Sequence, residues 1–367
     1  MGNKRDNPSS KGLIRAFLIG IPLLFISGVV LSGQCNVISS SQPKESASSS
    51  KVSSASTSSS IKSSTESTIS TTTTNTSDFK LAKKESLGFF NDIPSHTWIK
   101  MRDKVQSMSP NFNTYYLPWD ISEAGKIGRR NTPGAFYQNH YEPDFICQHE
   151  GRIGRLGDGG KWICDPHRIA MQDECLVYSV GSNNDFSFEE SVLKDIGPHC
   201  EIHTFDFGNF KEGAAKVGYR LHNGVNKTAV NYHQYGLGLD QPPKYKSLQT
   251  VVKELGHENR VIDIFKIDCE GCEWETAKHW FEADVTLRQI QVELHKSNME
   301  TTPQFFDMMY DNDYVITHKE ANIEWTNAQG TCIEYAFLKL SPEFHAGSER
   351  MKGGTYRTTK PNKYSPQ

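Results

Sequence analysis

Acids, cysteines and a histidine gather at the ends of two apolar runs in the second half of the chain. The first run closes on Lys266-Ile-Asp-Cys-Glu-Gly-Cys-Glu-Trp-Glu, which crowds Asp268, Cys269, Glu270 and Cys272 around Gly271. The second, Gln289 to Leu294, carries Glu293 and is followed by His295. Asp268 or His295 could serve as a general base toward a hydroxyl. Asp268, Glu270, Glu293 and His295 could instead hold a divalent cation through oxygen and nitrogen donors, with Asp268, Glu293 and His295 as the core of that set. A redox role for the two cysteines fits poorly, because such a pair normally opens the helix after a first strand. A structural zinc would need a second close cysteine pair, which the sequence lacks. The plainer readings are that His295 bonds a neighbouring backbone group and that Glu270 caps a helix starting near Trp274.

Strands and helices must bring these residues to one edge. Apolar runs at Leu176–Val180, Ile202–Phe205, Ala229–Tyr235, Ile262–Ile267, Gln289–Leu294, Tyr314–Thr317 and Ile333–Leu338 read as strands. Between them lie helical patterns, an amphipathic Phe186 to Leu193 and a segment with Ser247 as N-cap, Leu248, Val251, Val252 and Leu255 at helical spacing, and Gly256 as terminator. Such alternation predicts an α/β fold with a doubly wound, mostly parallel, seven-stranded sheet covered on both faces. Ligands of such sheets bind outside the carboxyl ends of the strands. At those ends stand Gly181, where the backbone turns tightly toward a following helix N-terminus, and Asp206, placed to accept from ribose hydroxyls. A Gly-x-Gly-x-x-Gly fingerprint is missing. Asp158-Gly-Gly-Lys-Trp reads either as a turn over a ligand or as a tight hairpin between Cys147 and Cys164.

Taken in order, "VYSVGSNNDFSFEE", "IHTFDF", "YHQYGLG", "SLQTVVKELGH", "IDIFKIDCEGCEWE" and "QIQVELH" resemble a class I S-adenosylmethionine-dependent methyltransferase. Within that class the set is similar to the FkbM-type and methyltransferase-like protein 24 group, and "RLGDGGKWICDP" resembles a block this group carries before its first strand. The resemblance covers roughly Tyr137 to Leu340. It implies a Rossmann-like fold and an S-adenosylmethionine pocket lined by Gly181, Asn183, Asp185, Asp206 and Asp268, with Asp268, Glu270 and His295 facing the acceptor. Methyl transfer is an in-line displacement on a sulfonium, so alignment of acceptor and methyl is the protein's main task. A hydroxyl acceptor must also lose its proton, to a base or beside a metal. The base reading is preferred here, with a divalent ion at Asp268, Glu293 and His295 as the other.

Composition sets the surroundings. The chain has 367 residues and a net charge of −3, with no basic stripe beyond its first residues, so nucleic acid is not an expected partner. Residues 1–15 carry Lys4, Arg5, Lys11 and Arg15, and the uncharged apolar stretch 16–32 follows. By the positive-inside rule this reads as a type II signal anchor, with a cleaved signal peptide and secretion as the other outcome. Residues 33–77 are a Ser/Thr-rich stem unable to bury a core. Residues 78–340 form the folded methyltransferase domain with an N-terminal extension, and 341–367 a polar tail. A Golgi or endoplasmic-reticulum lumen follows, as do disulfides among the seven cysteines from Cys147 to Cys332 and sequons at Asn75 and Asn226. The expected activity is O-methylation of a glycan or another secreted polyhydroxyl small molecule. The competing class is a non-catalytic lumenal or extracellular binding module that kept the fold.

Overall fold

The computed structural model describes residues 78–112, 137, 141–220, 226–295, 301–322 and 332–346. The anchor and stem lie outside them, and among the described residues no helix is long and apolar enough to cross a membrane. Seven strands form one sheet: β3 (Cys175–Val180), β4 (Cys200–Phe205), β5 (Val230–His233), β6 (Ile264–Ile267), β7 (Gln289–His295), β8 (Tyr314–Ala321) and β9 (Cys332–Lys339). A two-stranded hairpin, β1 (Glu150–Ile153) with β2 (Lys161–Cys164), precedes them. The sheet order is β8-β9-β7-β6-β3-β4-β5. Neighbours from β7 through β5 run parallel, while β9 is antiparallel to both β7 and β8.

The sequence explains this order. Every residue of β3 is buried, as a central parallel strand covered on both faces requires. Leu176, Tyr178 and Val180 face one core with Phe265, Ile290, Phe306 and the helix Leu248–Leu255. Cys175 and Val177 face the other, built with Ile264, Ile202 and aromatics of the N-terminal extension, Phe90, Trp98 and Phe145. The helix Leu248–Leu255 starts where Ser247 Oγ accepts from the Thr250 amide at 3.2 Å and stops at Gly256 in the left-handed region.

Some boundaries differ from expectation. Asp263 breaks the fourth apolar run, because its carboxylate accepts the Leu176 amide at 3.1 Å and pairs with Arg288. Val261–Ile262 therefore pairs with Thr286–Leu287 instead of extending β6. The helix expected at Phe186 to Leu193 is a short α-turn, Ser187–Ser191, continued by a π-turn, Val192–Ile196. The polar tail does not begin at Ser341. Pro342–His345 forms a helix whose Phe344 is fully buried against Trp98 and Phe145, so apolar packing overrides the polar composition there.

Among the described residues three disulfides form: Cys147–Cys164, Cys175–Cys200 and Cys269–Cys272. The second joins the first residues of β3 and β4, which are direct register partners. Cys332 is buried with a free thiol.

Candidate functional site

From β3 the chain winds outward through β4 and β5, then returns to β6 on the other flank of β3. The carboxyl ends of β3 and β6 are thus the switch point where doubly wound sheets leave a crevice. Gly181 follows β3 with φ +77°, and a Cβ there would lie 1.8 Å from the carbonyl oxygen of Asp268. Only glycine lets the two strand ends approach this closely. The turn is fixed from both sides. The Gly181 amide donates to Phe205 O at 2.9 Å, and the buried Lys266 Nζ donates to Gly181 O at 2.6 Å.

Asp206 binds that turn directly. Its Oδ2 accepts the amides of Ser182 and Asn183, both at 2.9 Å, and Oδ1 accepts the Gly208 amide at 2.9 Å. The expected clasp on two ribose hydroxyls must share these oxygens. Oδ1 retains room for about one more donor, counting two acceptor sites per oxygen. Next to it Phe207 is 60 % exposed, beside Tyr245 and under the Lys244 ammonium. Asn183 is exposed on the turn, in the left-handed region. Asp185 faces the β1–β2 loop: its Oδ2 pairs with Arg155 at 2.9 Å while Oδ1 accepts the Ser187 amide. The Asp158-Gly-Gly-Lys-Trp stretch is therefore both a hairpin and a cover, since its loop reaches the glycine turn and places Asp158 beside Asp268 and Glu293.

Lys161, on β2, points into the carboxyl edge and is fully buried. Its Nζ lies 2.6 Å from Glu334, 3.4 Å from Glu293 and 3.8 Å from Asp268. Burial disfavours the ammonium, but these three carboxylates outweigh it and raise its pKa. Burial likewise opposes the Asp268 carboxylate, and Lys161, Lys266 and His295 together hold its pKa below the usual value. At Glu293 burial, then repulsion from Asp268, pushes the carboxyl up to about 8. One proton and one ammonium thus stabilise a set of acids that could not all stay charged alone.

His295 ends β7, 2 % exposed. Its Nδ1 lies 3.0 Å from Oε1 of Glu273, a carboxylate with no exposure at the start of the turn Glu273–Thr276. With Nδ1–H donating to Glu273, the buried Nε2 is the ring's acceptor nitrogen, on the side of Asp268, Glu270 and Glu293. Nε2 is 3.8 Å from oxygens of Asp268, Glu270 and Glu293. The plainer reading of His295 thus gives way to a ring held by a carboxylate. Glu270, left-handed at φ 59°, does not sit at the helix N-cap, a position Cys272 takes without a side-chain bond. It is exposed toward His295. The Cys269–Cys272 disulfide closes the loop that carries it.

Sequence reasoning brought Gly181, Asp206, Asp268, Glu270, Glu293 and His295 to this edge, and the structure gathers them there. It missed Lys161, Glu273, Glu334 and Phe207. Glu334 had a signal, a lone acid inside the apolar Cys332-Ile-Glu-Tyr-Ala-Phe. Lys161 had one too, within a block singled out for other reasons. Comparison with curated proteins finds no match. The methyltransferase domain family, by contrast, matches residues 80–339, about seven-tenths of the chain and nearly all of the described sheet. A methyltransferase domain generally implies use of S-adenosylmethionine, and the glycine turn, the Asp206 carboxylate and the open Phe207 ring fit such a group. The chain belongs to the methyltransferase domain family.

Proposed function

We propose that the chain is an S-adenosylmethionine-dependent O-methyltransferase acting on a neutral hydroxyl compound, a glycan or another polyhydroxyl small molecule, in the lumen of the secretory pathway. The observation that carries this reading is the His295 imidazole, oriented by buried Glu273 and turned toward Asp268 and Glu270 at the crevice. Such a ring takes the acceptor's proton on Nε2, and Glu273 stabilises the resulting imidazolium. Asp268 and Glu270 hold the acceptor hydroxyl beside it. Bound S-adenosylmethionine supplies an electrophilic methyl group. Gly181, Asn183 and Asp206 would hold it, with Phe207 covering its purine and Asp185 fixing the loop above.

Two features narrow the acceptor. Carboxylates at 158, 268 and 270 repel an acidic substrate, so a neutral or cationic one is favoured. Lys161 already supplies positive charge to Asp268, Glu293 and Glu334, which supports base catalysis over a divalent ion at Asp268, Glu293 and His295. The lumenal setting rests on the N-terminal charge pattern.

Calorimetry with S-adenosylmethionine is the deciding measurement. Wild type should bind, and Asp206→Ala should bind about tenfold to a hundredfold more weakly. His295→Gln should keep cofactor affinity yet lose about 10²–10⁴-fold in turnover on a hydroxyl acceptor. Absence of cofactor binding would leave a non-catalytic module. Full turnover by His295→Gln would remove the base.

A further inference from the structure

A second cluster of donors lies at the opposite end of β4. Glu201, His203 and Phe205 alternate on one face of that strand, and His257 reaches the same face from just beyond the helix Leu248–Leu255. Glu201 Oε1 lies 3.0 Å from His203 Nε2 and 3.3 Å from His257 Nε2. Ligand atoms on a tetrahedral zinc with bonds near 2.0–2.1 Å are separated by roughly 3.3 Å, so the two edges from Glu201 are already close to that length, and all three ligand atoms lie within 4.8 Å of one another. The two rings stand almost perpendicular, at 85°.

The partners behind the ligands are also in place. His257 Nδ1 is 2.7 Å from the Tyr178 hydroxyl, and His203 Nδ1 is 2.9 Å from His233 Nε2. Ligating histidines need an acceptor for the other ring N–H, and both the hydroxyl and a neutral imidazole provide one. Arg260 donates to Glu201 Oε2 at 2.8 Å, which leaves Oε1 as a single ligating oxygen. His203 and His257 are buried while the Glu201 side chain is 38 % exposed, which opens the fourth position to water.

We propose that Glu201, His203 and His257 form a zinc site with a water or small anion as fourth ligand, backed by Tyr178 and His233. Glu201 precedes Asp206 by five residues, about 16 Å of strand at ~3.3 Å per residue. The ion therefore stands apart from the methyl-transfer crevice. It ties the outer strands β4 and β5 to the segment that follows the covering helix.

The full-length chain, stripped with a chelator, dialysed against zinc and passed through gel filtration, should retain about one zinc per chain by elemental analysis. Cobalt in place of zinc should give the visible absorption of a tetrahedral site. Glu201→Gln and His257→Gln should each weaken zinc by at least about a hundredfold, and Tyr178→Phe by about 10–100-fold. Zinc should raise the melting temperature of wild type but not of Glu201→Gln, whose partly exposed position keeps that variant foldable if the histidine variants are not. Asp268→Asn should leave zinc retention unchanged. No retained zinc in the wild type would overturn the site, as would zinc that is lost with Asp268→Asn and kept in Glu201→Gln.

Discussion

At Glu293 a proton does work that neighbouring charges cannot. The native carboxyl titrates at about 8 against an ordinary 4.5. A raised native pKa means that the folded chain binds the proton more tightly than the unfolded one. The stability it confers is complete below about pH 4.5 and is lost as pH climbs toward 8. Asp268 acts in the opposite sense but only in the acid range below its ordinary 3.8, and His203, His233 and His257, lowered by burial, act below 6.5. Burial also raises Glu189, Asp263 and Glu334, so the difference between a Glu293 variant and the wild type, not the wild-type profile alone, reads the Glu293 contribution between pH 6.5 and 9. Glu293→Gln should gain on the wild type across that window by on the order of 1–3 kcal/mol in urea unfolding. Parallel stability profiles would show that Glu293 is charged in the folded state. At this scale the sequence was half legible. Asp268 and His295 announce themselves because acids and a histidine at strand ends are visible in one dimension. Glu273 and Lys161 do not, because their partners lie 22 and 132 residues away. Only the folded sheet reveals which charge faces which.

The elements were easier to read than their ends. All seven strands of the sheet correspond to apolar runs, since burial on both faces leaves few polar positions to confuse the pattern. The break at Asp263 was invisible, because an acid that bonds the amide of a neighbouring strand looks the same as a turn residue. The turn after β3 offers a direct test of how tightly the elements meet. Gly181 and Gly256 have similar φ values, +77° and +69°, but a Cβ at 256 has nothing within 4 Å. Gly256→Ala should cost only the left-handed strain, about 1–2 kcal/mol. Gly181→Ala adds a collision with the Asp268 carbonyl and should cost roughly 2–4 kcal/mol, while also weakening S-adenosylmethionine. Equal losses in urea titrations would mean that the ends of β3 and β6 can separate freely.

For the molecule as a whole, the proposed lumenal setting rests on the charge pattern around the apolar stretch 16–32. If charge asymmetry orients the chain, protease added to intact microsomes should spare the folded domain and cut it only after detergent. Digestion from the cytosolic side would place the domain in a reducing compartment and leave the Cys147–Cys164, Cys175–Cys200 and Cys269–Cys272 bonds without an oxidising setting.

The short helix Pro342–His345 carries a consequence for where the two ends of the described domain lie. Ser341 donates its amide to Glu85 O at 2.8 Å, Lys84 pairs with Glu343 at 3.2 Å, and Phe344 meets Trp98 edge to face. The chain enters and leaves the described domain at one spot. The two ends can therefore be spliced. A circular permutant that joins Ala346 to Asp78 by a short flexible linker, opened between the turn residues Gln172 and Asp173, should fold and melt within roughly 5 °C of the parent. Its affinity for S-adenosylmethionine should be unchanged, because every residue of the crevice would keep its neighbours while the order of the chain around them is redrawn.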